Sequence, residues 1–368
     1  MVVAAVRGDH AVMGDAAARG VVRKLLTGMA LVATTAGAIL AVRHIGPGRI
    51  LSGALAADPK LVLLALSLMC LAMATRAIAW RAILAAAFPG VRIALPPVLR
   101  ATSIGVLLSA TMPARVGEPA RAMIVARDVD VVCPGDGALS RVLGTMVSQT
   151  ILNVLALLGL GVLTFSTYFG GRLGPLTAAI VLPLAAIALA LLAAPLALRM
   201  IPRNRLGSIA ERAERALAGI RAGLVVFRSP RPALEAATSQ FGAWGLQCLS
   251  CYALLAAFGL DRRVGLGAAA AVLLAVNVTA VVPITPSNLG VFQAACVVAL
   301  SSVHAIPPAE AVAYGIVLQA VEIATAIAMG GPALLREGLA RRPLPIDPRG
   351  RRGLPAPPSE PRPRWDRP

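Results

Sequence analysis

Charged and aromatic residues are scarce in this sequence. Only 14% of its 368 residues are Asp, Glu, Lys or Arg, and only 4% are aromatic. Because soluble domains carry about 25% charged residues, this shortage argues against a soluble enzyme. Hydrophobic residues instead make up 58% of the chain, which excludes a disordered protein and predicts several transmembrane helices.

Metal ligands and paired cysteines are also few. The three histidines, His10, His44 and His304, are far apart in the sequence, and the five cysteines are an odd number that lies mostly in apolar runs. This pattern matches neither a disulfide framework nor a zinc site. We therefore expect no metal and no cofactor.

Acidic residues are about half as numerous as basic residues, with 17 against 35 and a net charge of +18. In a soluble protein such an excess would suggest nucleic-acid binding. In a membrane protein, basic residues collect in cytoplasmic loops and contact anionic lipid headgroups. We therefore expect membrane phospholipids with anionic headgroups as partners, and no nucleic acid.

The apolar runs predict an all-α fold, a polytopic membrane bundle of about eight transmembrane helices. Each run should be helical, because lipid offers no hydrogen-bond partner to free backbone groups. A further apolar run, 101–113, is too short for a full crossing and suits a re-entrant segment. The eight predicted spans are 25–42, 61–79, 142–165, 175–198, 237–259, 265–282, 288–303 and 311–332.

The basic residues predict the topology. If 101–113 enters and returns, most of them lie on one side, which places both termini in the cytoplasm of a protein of the cytoplasmic (inner) membrane. The chain then divides into a cytoplasmic N-terminus (1–24), a membrane domain (25–335) and an Arg/Pro-rich tail (336–368) that we expect to be disordered. The cytoplasmic loop 199–232 has apolar residues at helical spacing, so it forms an amphipathic helix on the membrane surface or a helix packed under the bundle.

A first break in helical structure follows the short run, at 112–121. Pro113, Gly117 and Pro119 interrupt the helical pattern, and Arg115, Glu118 and Arg121 place three charges there. Arginine matches phosphate with a bidentate fork, so the break suits an anionic headgroup. An ordinary cytoplasmic loop that touches surface phosphates is the alternative.

A second break lies at 282–293, where Pro283, Pro286 and Gly290 interrupt a long apolar stretch. We expect Ser287 or Asn288 to cap the helix that restarts there and to leave its N–H groups available to a ligand. Paired broken segments are the sequence feature that best indicates a transporter's binding site. The alternative is a simple turn between two crossings.

A few polar residues lie inside other predicted spans. They are Ser148, Gln149, Asn153, Asn277, Thr279, Gln319 and Glu322. Hydrogen bonds between helices are the usual explanation for such amides. Glu322 is the one acidic residue deep in a predicted crossing, so it needs a partner or a proton, and a functional role is equally open.

At the two breaks the sequence resembles the flippase-like integral membrane family named for the transmembrane region of lysylphosphatidylglycerol synthase. Residues 113–121 are similar to its "P-x-R-x-G-E-P-x-R" stretch, and residues 283–292 to its "P-x-P-G-G-L-G-x-x-E" stretch. The resemblance covers about 25–335 and implies an inner-membrane protein that moves or handles lipid headgroups. With the polar residues above, it gives these candidate substrate-binding residues: Arg115, Gly117, Glu118, Arg121, Pro286, Asn288, Gly290, Gln293 and Glu322.

The sequence departs from the family pattern at three positions. The family often has glutamate where Gln293 stands, and Glu-Arg-x-x-Asp where this chain has residues 149–153. Gln149, Asn153 and Gln293 are therefore neutral where acids are common. The resemblance leaves open whether these changes alter the substrate or reduce activity.

The sequence thus predicts a lipid translocase that is not an enzyme. Its substrate would be an anionic or aminoacylated phospholipid, or a lipid-linked headgroup. Two alternatives remain, a membrane-embedded lipid-linked glycosyl or acyl transferase using Glu118, Asp128 or Asp130, and an accessory protein for a partner lipid synthase. We expect no aminoacyl transfer, because the tail after the last span is too short for the synthase catalytic domain.

Overall fold

The computed structural model describes residues 47–111, 116–132, 138–168, 223–279, 288 and 290–340. All regular structure in these ranges is helical, with nine α-helices, one 3₁₀ turn at Val225–Arg228 and no strand. The α-helices are α1 (Pro47–Leu55), α2 (Pro59–Ala87), α3 (Leu95–Thr111), α4 (Gly117–Val132), α5 (Ala138–Tyr168), α6 (Pro230–Ala257), α7 (Asp261–Thr279), α8 (Val291–His304) and α9 (Pro308–Ala340).

Four of these helices are long and apolar enough to cross a bilayer, namely α2, α5, α7 and α9. The 29 residues of α2 span roughly 40 Å, which exceeds the hydrocarbon thickness of about 30 Å. Helix α6 is nearly as long, with 28 residues, and packs along α2. The protein is therefore a polytopic helical membrane bundle, as the sequence predicts.

Most predicted spans within the described residues correspond to a helix, but most helix ends lie outside the apolar runs. Helix α9 begins before the run 311–332 and continues to Ala340, past the predicted start of the tail. Helix α1 was not predicted. The predicted spans 25–42 and 175–198, residues 199–222 of the amphipathic loop and residues 341–368 of the tail lie outside the described residues.

Helices α3 and α4 form an antiparallel hairpin around the first break. Arg100 near the start of α3 pairs with Asp128 near the end of α4, with 3.1 Å between Nη2 and Oδ2. The two backbones touch near the other end, where a Cβ on Gly117 would overlap the carbonyl oxygen of Gly105. Helix α4 therefore follows the first break, and the antiparallel course of α3 and α4 is compatible with the predicted re-entrant segment.

Helices α7 and α8 flank the second break, and α8 is too short to be a full crossing. Gly265 interrupts α7 near its start with φ 63°, and α8 has only 14 residues. The expected cap at Ser287 or Asn288 is wrong, because the N-cap of α8 is Gly290. Gly290 has φ 83°, a conformation that glycine adopts freely, and its N–H donates to Oε1 of Gln293 at 2.8 Å.

Helix α9 packs against both hairpins, which open toward opposite ends of the bundle. Its last turns contact the start of α3, where Nε of Arg100 lies 3.2 Å from Oε2 of Glu337. Its first turn lies beside the start of α7, where Nη1 of Arg263 is 3.6 Å from Oε2 of Glu310. The α3–α4 hairpin therefore enters the bundle from one end, and the α7–α8 pair enters from the other.

Candidate functional site

The helix ends that border the two breaks converge on one stretch of α9. On one side, Gly330 packs against the carbonyl oxygen of Ser103 and the side chain of Leu107. Because α3 runs antiparallel to α9, its last residue, Thr111, lies about one turn further along, near the level of Thr325. The first break is therefore close in height to Glu322.

The second break reaches the same height from the other end. Cys296 packs against Gly315, and Nε2 of Gln293 donates to Oε1 of Gln319 at 2.7 Å. Continuing toward the start of α8 brings Gly290 close to the level of Glu322. Since Glu322 lies roughly 20 Å from the start of α9, both breaks end near the middle of the bundle.

Arg121 forms the best-defined charged contact at the first break. Its Nη2 lies 2.6 Å from Oε2 of Glu118, one turn earlier on α4. Arg121 is 9% exposed, whereas the Glu118 side chain is half exposed. The guanidinium carbon of Arg121 also lies 4.9 Å from the ring centre of Trp80, a distance typical of a cation–π contact.

Arg76 is the residue of this site to which the sequence analysis assigned no role. It lies inside the apolar run that forms α2, and its Nη2 donates to Oε1 of Gln247 at 2.8 Å. Its guanidinium carbon is 5.8 Å from the ring centre of Trp244. The signal that could have identified it is an arginine inside an apolar span, because such a charge survives only where it has partners or faces a wet cavity.

Charges from two other helices act on Arg76. They are those of Arg121, Glu118 and Glu322, in decreasing order of strength, and the strongest is repulsive. Arg121 and Glu118 lie on α4 and Glu322 lies on α9. The tertiary structure therefore brings charges from α4 and α9, which are far apart in sequence, within electrostatic range of Arg76 on α2.

Helix α5 accepts hydrogen bonds from the indole N–H groups of both Trp80 and Trp244. Nε1 of Trp80 donates to Oγ1 of Thr145 at 3.1 Å, and Nε1 of Trp244 donates to Oδ1 of Asn153 at the same distance. Asn153 also accepts a 2.6 Å hydrogen bond from Nε2 of Gln240. Asn153 thus has the interhelical role expected of a buried amide, and it fixes one wall of the site.

Gln149 lies between these two contacts on α5 and behaves differently. It is 1% exposed, yet neither its amide oxygen nor its amide nitrogen has a hydrogen-bond partner among the described residues. Its neighbour Ser148 donates to the carbonyl oxygen of Gly223 at 2.9 Å. Buried polar groups are almost always paired, so the isolation of Gln149 needs an explanation.

Glu322 makes no hydrogen bond or ion pair with any described residue, although it lies one turn from the Gln293–Gln319 bond. It is half-buried, and its charge acts on Arg76. Asn277, in contrast, donates to the carbonyl oxygen of Leu273 on its own helix at 2.8 Å. Of the amides and acids predicted inside spans, Glu322 and Gln149 are therefore the two that make no side-chain hydrogen bond with a described residue.

The predicted site residues fall into three groups. Glu118, Arg121 and Glu322 act electrostatically on Arg76, and Gly117, Gly290 and Gln293 lie where helices border the two breaks. Asn288 adopts φ 53° beside the second break. Arg115 and Pro286 lie outside the described residues. Within the described ranges, no three His, Cys, Asp or Glu side chains are grouped to hold a metal ion.

Comparison with known proteins places this site in context. Residues 25–330 match the family described as the lysylphosphatidylglycerol synthase TM region. None of the curated proteins matches this chain. The matched range contains every residue of the candidate site.

Proposed function

Because the chain belongs to the family of the lysylphosphatidylglycerol synthase TM region, we propose that it is a lipid translocase of the cytoplasmic membrane. Membership makes it an integral membrane protein connected with lipid synthesis or translocation. In our proposal it moves a phosphate-bearing lipid headgroup between leaflets without converting it chemically. The headgroup passes through the bundle while the acyl or prenyl chains remain in the bilayer.

The convergence of the two breaks on α9 is the observation that carries this proposal. The hairpins open toward opposite ends, and each ends near Glu322. A headgroup that enters beside one hairpin would therefore meet the same central charges as a headgroup that enters beside the other. Transporters commonly place their substrate site at such paired broken helices near the bilayer midplane.

The charged residues also lie at different heights. Arg121 packs beside Gly105, which lies opposite the part of α9 around Gly330, whereas Glu322 lies roughly 12 Å further toward the middle of the bundle. Arg76 interacts electrostatically with both. A phosphate that enters beside the α3–α4 hairpin would meet Arg121 and then lie between Arg121 and Arg76, so that its charge has a partner in hydrocarbon throughout.

The acids proposed for a transferase mechanism support transport over catalysis. Glu118 is paired with Arg121, and Asp128 is paired with Arg100. Asp130 is exposed near the end of α4. The candidate acids thus offer no pair of unbound carboxylates for acid–base chemistry.

Lipid flipping in proteoliposomes tests the proposal. With a fluorescent phospholipid in both leaflets and a quencher added outside, we expect the wild-type protein to exchange lipid between the leaflets. Arg121→Gln should slow this exchange at least tenfold, because the phosphate loses a buried charged donor. The predicted ligand Arg115 is tested in the same way by Arg115→Ala.

Arg127→Gln provides a matched control. Arg127 lies on the same helix as Arg121 but is exposed and forms no ion pair among the described residues. It should keep wild-type exchange. Equal exchange by wild type, Arg121→Gln and protein-free liposomes would falsify the proposed function.

A further inference from the structure

Several buried polar atoms near the Trp80 and Trp244 contacts have no hydrogen-bond partner among the described residues. The described residues provide no hydrogen-bond partner for Nε of Arg76, Nε of Arg121, both amide atoms of Gln149, or Oε1 of Gln240. Each such buried group costs about 1–3 kcal/mol if it stays unpaired. A ligand that supplies hydrogen-bond acceptors to the arginines would remove much of this cost.

The two arginines are held in a matching way. Each guanidinium lies over the face of one tryptophan, at 4.9 Å for Arg121 and 5.8 Å for Arg76, and each tryptophan is fixed to α5 by its indole N–H. Arg76 and Trp80 are one turn apart on α2, so both pairs belong to the same face of that helix. The guanidinium planes are therefore ordered before any ligand arrives.

Gln149 occupies the position between the two pairs. It follows Thr145, the partner of Trp80, by one turn of α5, and it precedes Asn153, the partner of Trp244, by one turn. Residues at this spacing lie on one face of a helix, so Gln149 faces the space between the tryptophans. Its amide nitrogen adds a neutral donor to those of the arginines.

The charges favour an anion at this place. Arg121 repels Arg76 electrostatically, while Glu118 and Glu322 attract it. An anion between two guanidinium groups converts this repulsion into two attractions. Phosphate oxygens fit best, because the guanidinium fork matches them in geometry and Nε is one of its donors.

We propose that Arg76 and Arg121, supported by Trp244 and Trp80 and joined by Gln149, form the binding site for the phosphodiester of the transported lipid. This inference rests on the proposed function for the lipid source of the phosphate, while recognition of the phosphate depends on the site alone. It assigns the central role to Arg76 and Gln149, and it makes the tryptophans part of the site.

Tryptophan fluorescence can test the site directly. The chain has three tryptophans, and Trp365→Phe leaves Trp80 and Trp244 as the reporters. The full chain, in a maltoside detergent free of phosphate, is titrated with dioctanoyl phosphatidylglycerol. We expect a saturable change in emission, competition by the soluble diester glycerophosphoglycerol, and no competition by dioctanoylglycerol, which lacks phosphate.

Variants separate binding from folding. Arg76→Gln and Arg121→Gln should each weaken binding at least tenfold, Arg76→Lys should weaken it less, and Arg127→Gln should leave it unchanged. Gln149→Leu should weaken binding severalfold while keeping or raising the thermal stability, because it removes an unpaired buried amide. A purely structural Gln149 would change stability without changing affinity.

Three results would overturn the proposal. They are unchanged affinity in both arginine variants, equal competition by dioctanoylglycerol, and tighter binding of inorganic phosphate than of the lipid. Failure of the proposed function is a different result, in which lipid exchange is absent although phosphatidylglycerol binds with the expected variant pattern.

Discussion

At the scale of single residues, the site contains buried or half-buried polar side chains that have no hydrogen-bond or ion-pair partner among the described residues. Glu322 places a carboxyl group in the middle of α9 and makes no ion pair among the described residues, and Gln149 is fully buried with an unpaired amide. Gln149 lies on α5, the helix that accepts a hydrogen bond from Trp244, and Glu322 acts electrostatically on Arg76, which packs on Trp244. Such positions cost stability, so a functional explanation is stronger for them than for the hydrogen-bonded Asn153.

Glu322→Gln should change which headgroup the protein prefers. The substitution keeps the size of the side chain but removes the negative charge that acts on Arg76, so the site becomes more positive. We expect the ratio of exchange rates for phosphatidylglycerol against an aminoacylated phosphatidylglycerol to rise about tenfold, equivalent to about 1.4 kcal/mol. Exchange assays with each lipid in matched proteoliposomes measure this ratio.

Glu310→Gln is the control on the same helix. Glu310 lies at the other end of α9 in an exposed pair with Arg263, and such surface pairs contribute about 0–1 kcal/mol. The ratio should stay at the wild-type value. A ratio that responds equally to both substitutions would contradict a specific role for Glu322.

At the scale of elements, the α3–α4 hairpin is held together by backbone contact as well as by charge. Gly117 lies against the carbonyl oxygen of Gly105, and Arg100 joins the base of the hairpin to α9 through Glu337. Glycine is required at this crossing because any side chain would enter the space of the neighbouring backbone. The glycine of the first motif thus has a packing role next to the charged residues it was predicted to accompany.

Gly117→Ala should destabilise the hairpin. The added Cβ forces α3 and α4 apart, and overpacking of this kind costs about 1–3 kcal/mol. We expect a lower midpoint in thermal unfolding of the purified protein, followed by fluorescence or by aggregation. Loss of lipid exchange should accompany it, since Arg121 packs against the same crossing.

Gly245→Ala serves as the comparison. Gly245 lies inside α6, and an added Cβ there meets no atom within 4 Å. Alanine is the better helix former by about 1 kcal/mol, so this variant should be as stable as the wild type or more so. Equal destabilisation by both substitutions would mean that Gly117 is not at a tight crossing in the membrane.

At the scale of the whole molecule, the helix pairs α3–α4 and α7–α8 pack against the long helix α9. They enter the bundle from opposite ends. Helix α9 crosses the bundle with its start beside α7 and its end beside α3. This arrangement gives a central site that each hairpin approaches from its own side. Alternating movement of the hairpins would then expose the same charges to either leaflet.

The predicted topology places the end of α9, and with it the base of the α3–α4 hairpin, on the cytoplasmic side. Fusion of a fluorescent reporter that folds only in the cytoplasm to the C-terminus should give signal, and fusion of a reporter active only in the periplasm should give none. The physical reason is the excess of basic residues in the segments assigned to the inside. Strong activity of the periplasmic reporter would reverse the orientation.

The sequence by itself determined the fold class and the approximate positions of the spans within the described residues. These features depend on local composition, since apolar runs specify helices in lipid and Pro or Gly interrupts them. The sequence also singled out Glu118, Arg121 and Glu322, because charged residues are conspicuous in apolar surroundings. The sequence could not show that these three residues lie near one another, because they belong to two helices separated by about two hundred residues.

Only the tertiary structure decided which of these residues form one site. The antiparallel packing of α3 and α8 against α9 brings the two breaks to the same height, and the packing of α2, α5 and α6 places Arg76 over Trp244. The structure also places the N-cap of α8 at Gly290 and not at the predicted Ser287 or Asn288. Gly290 has a positive φ, and its N–H donates a hydrogen bond to the Gln293 side chain. Contacts between distant helices depend on their relative height and rotation, and no local pattern in the sequence specifies either.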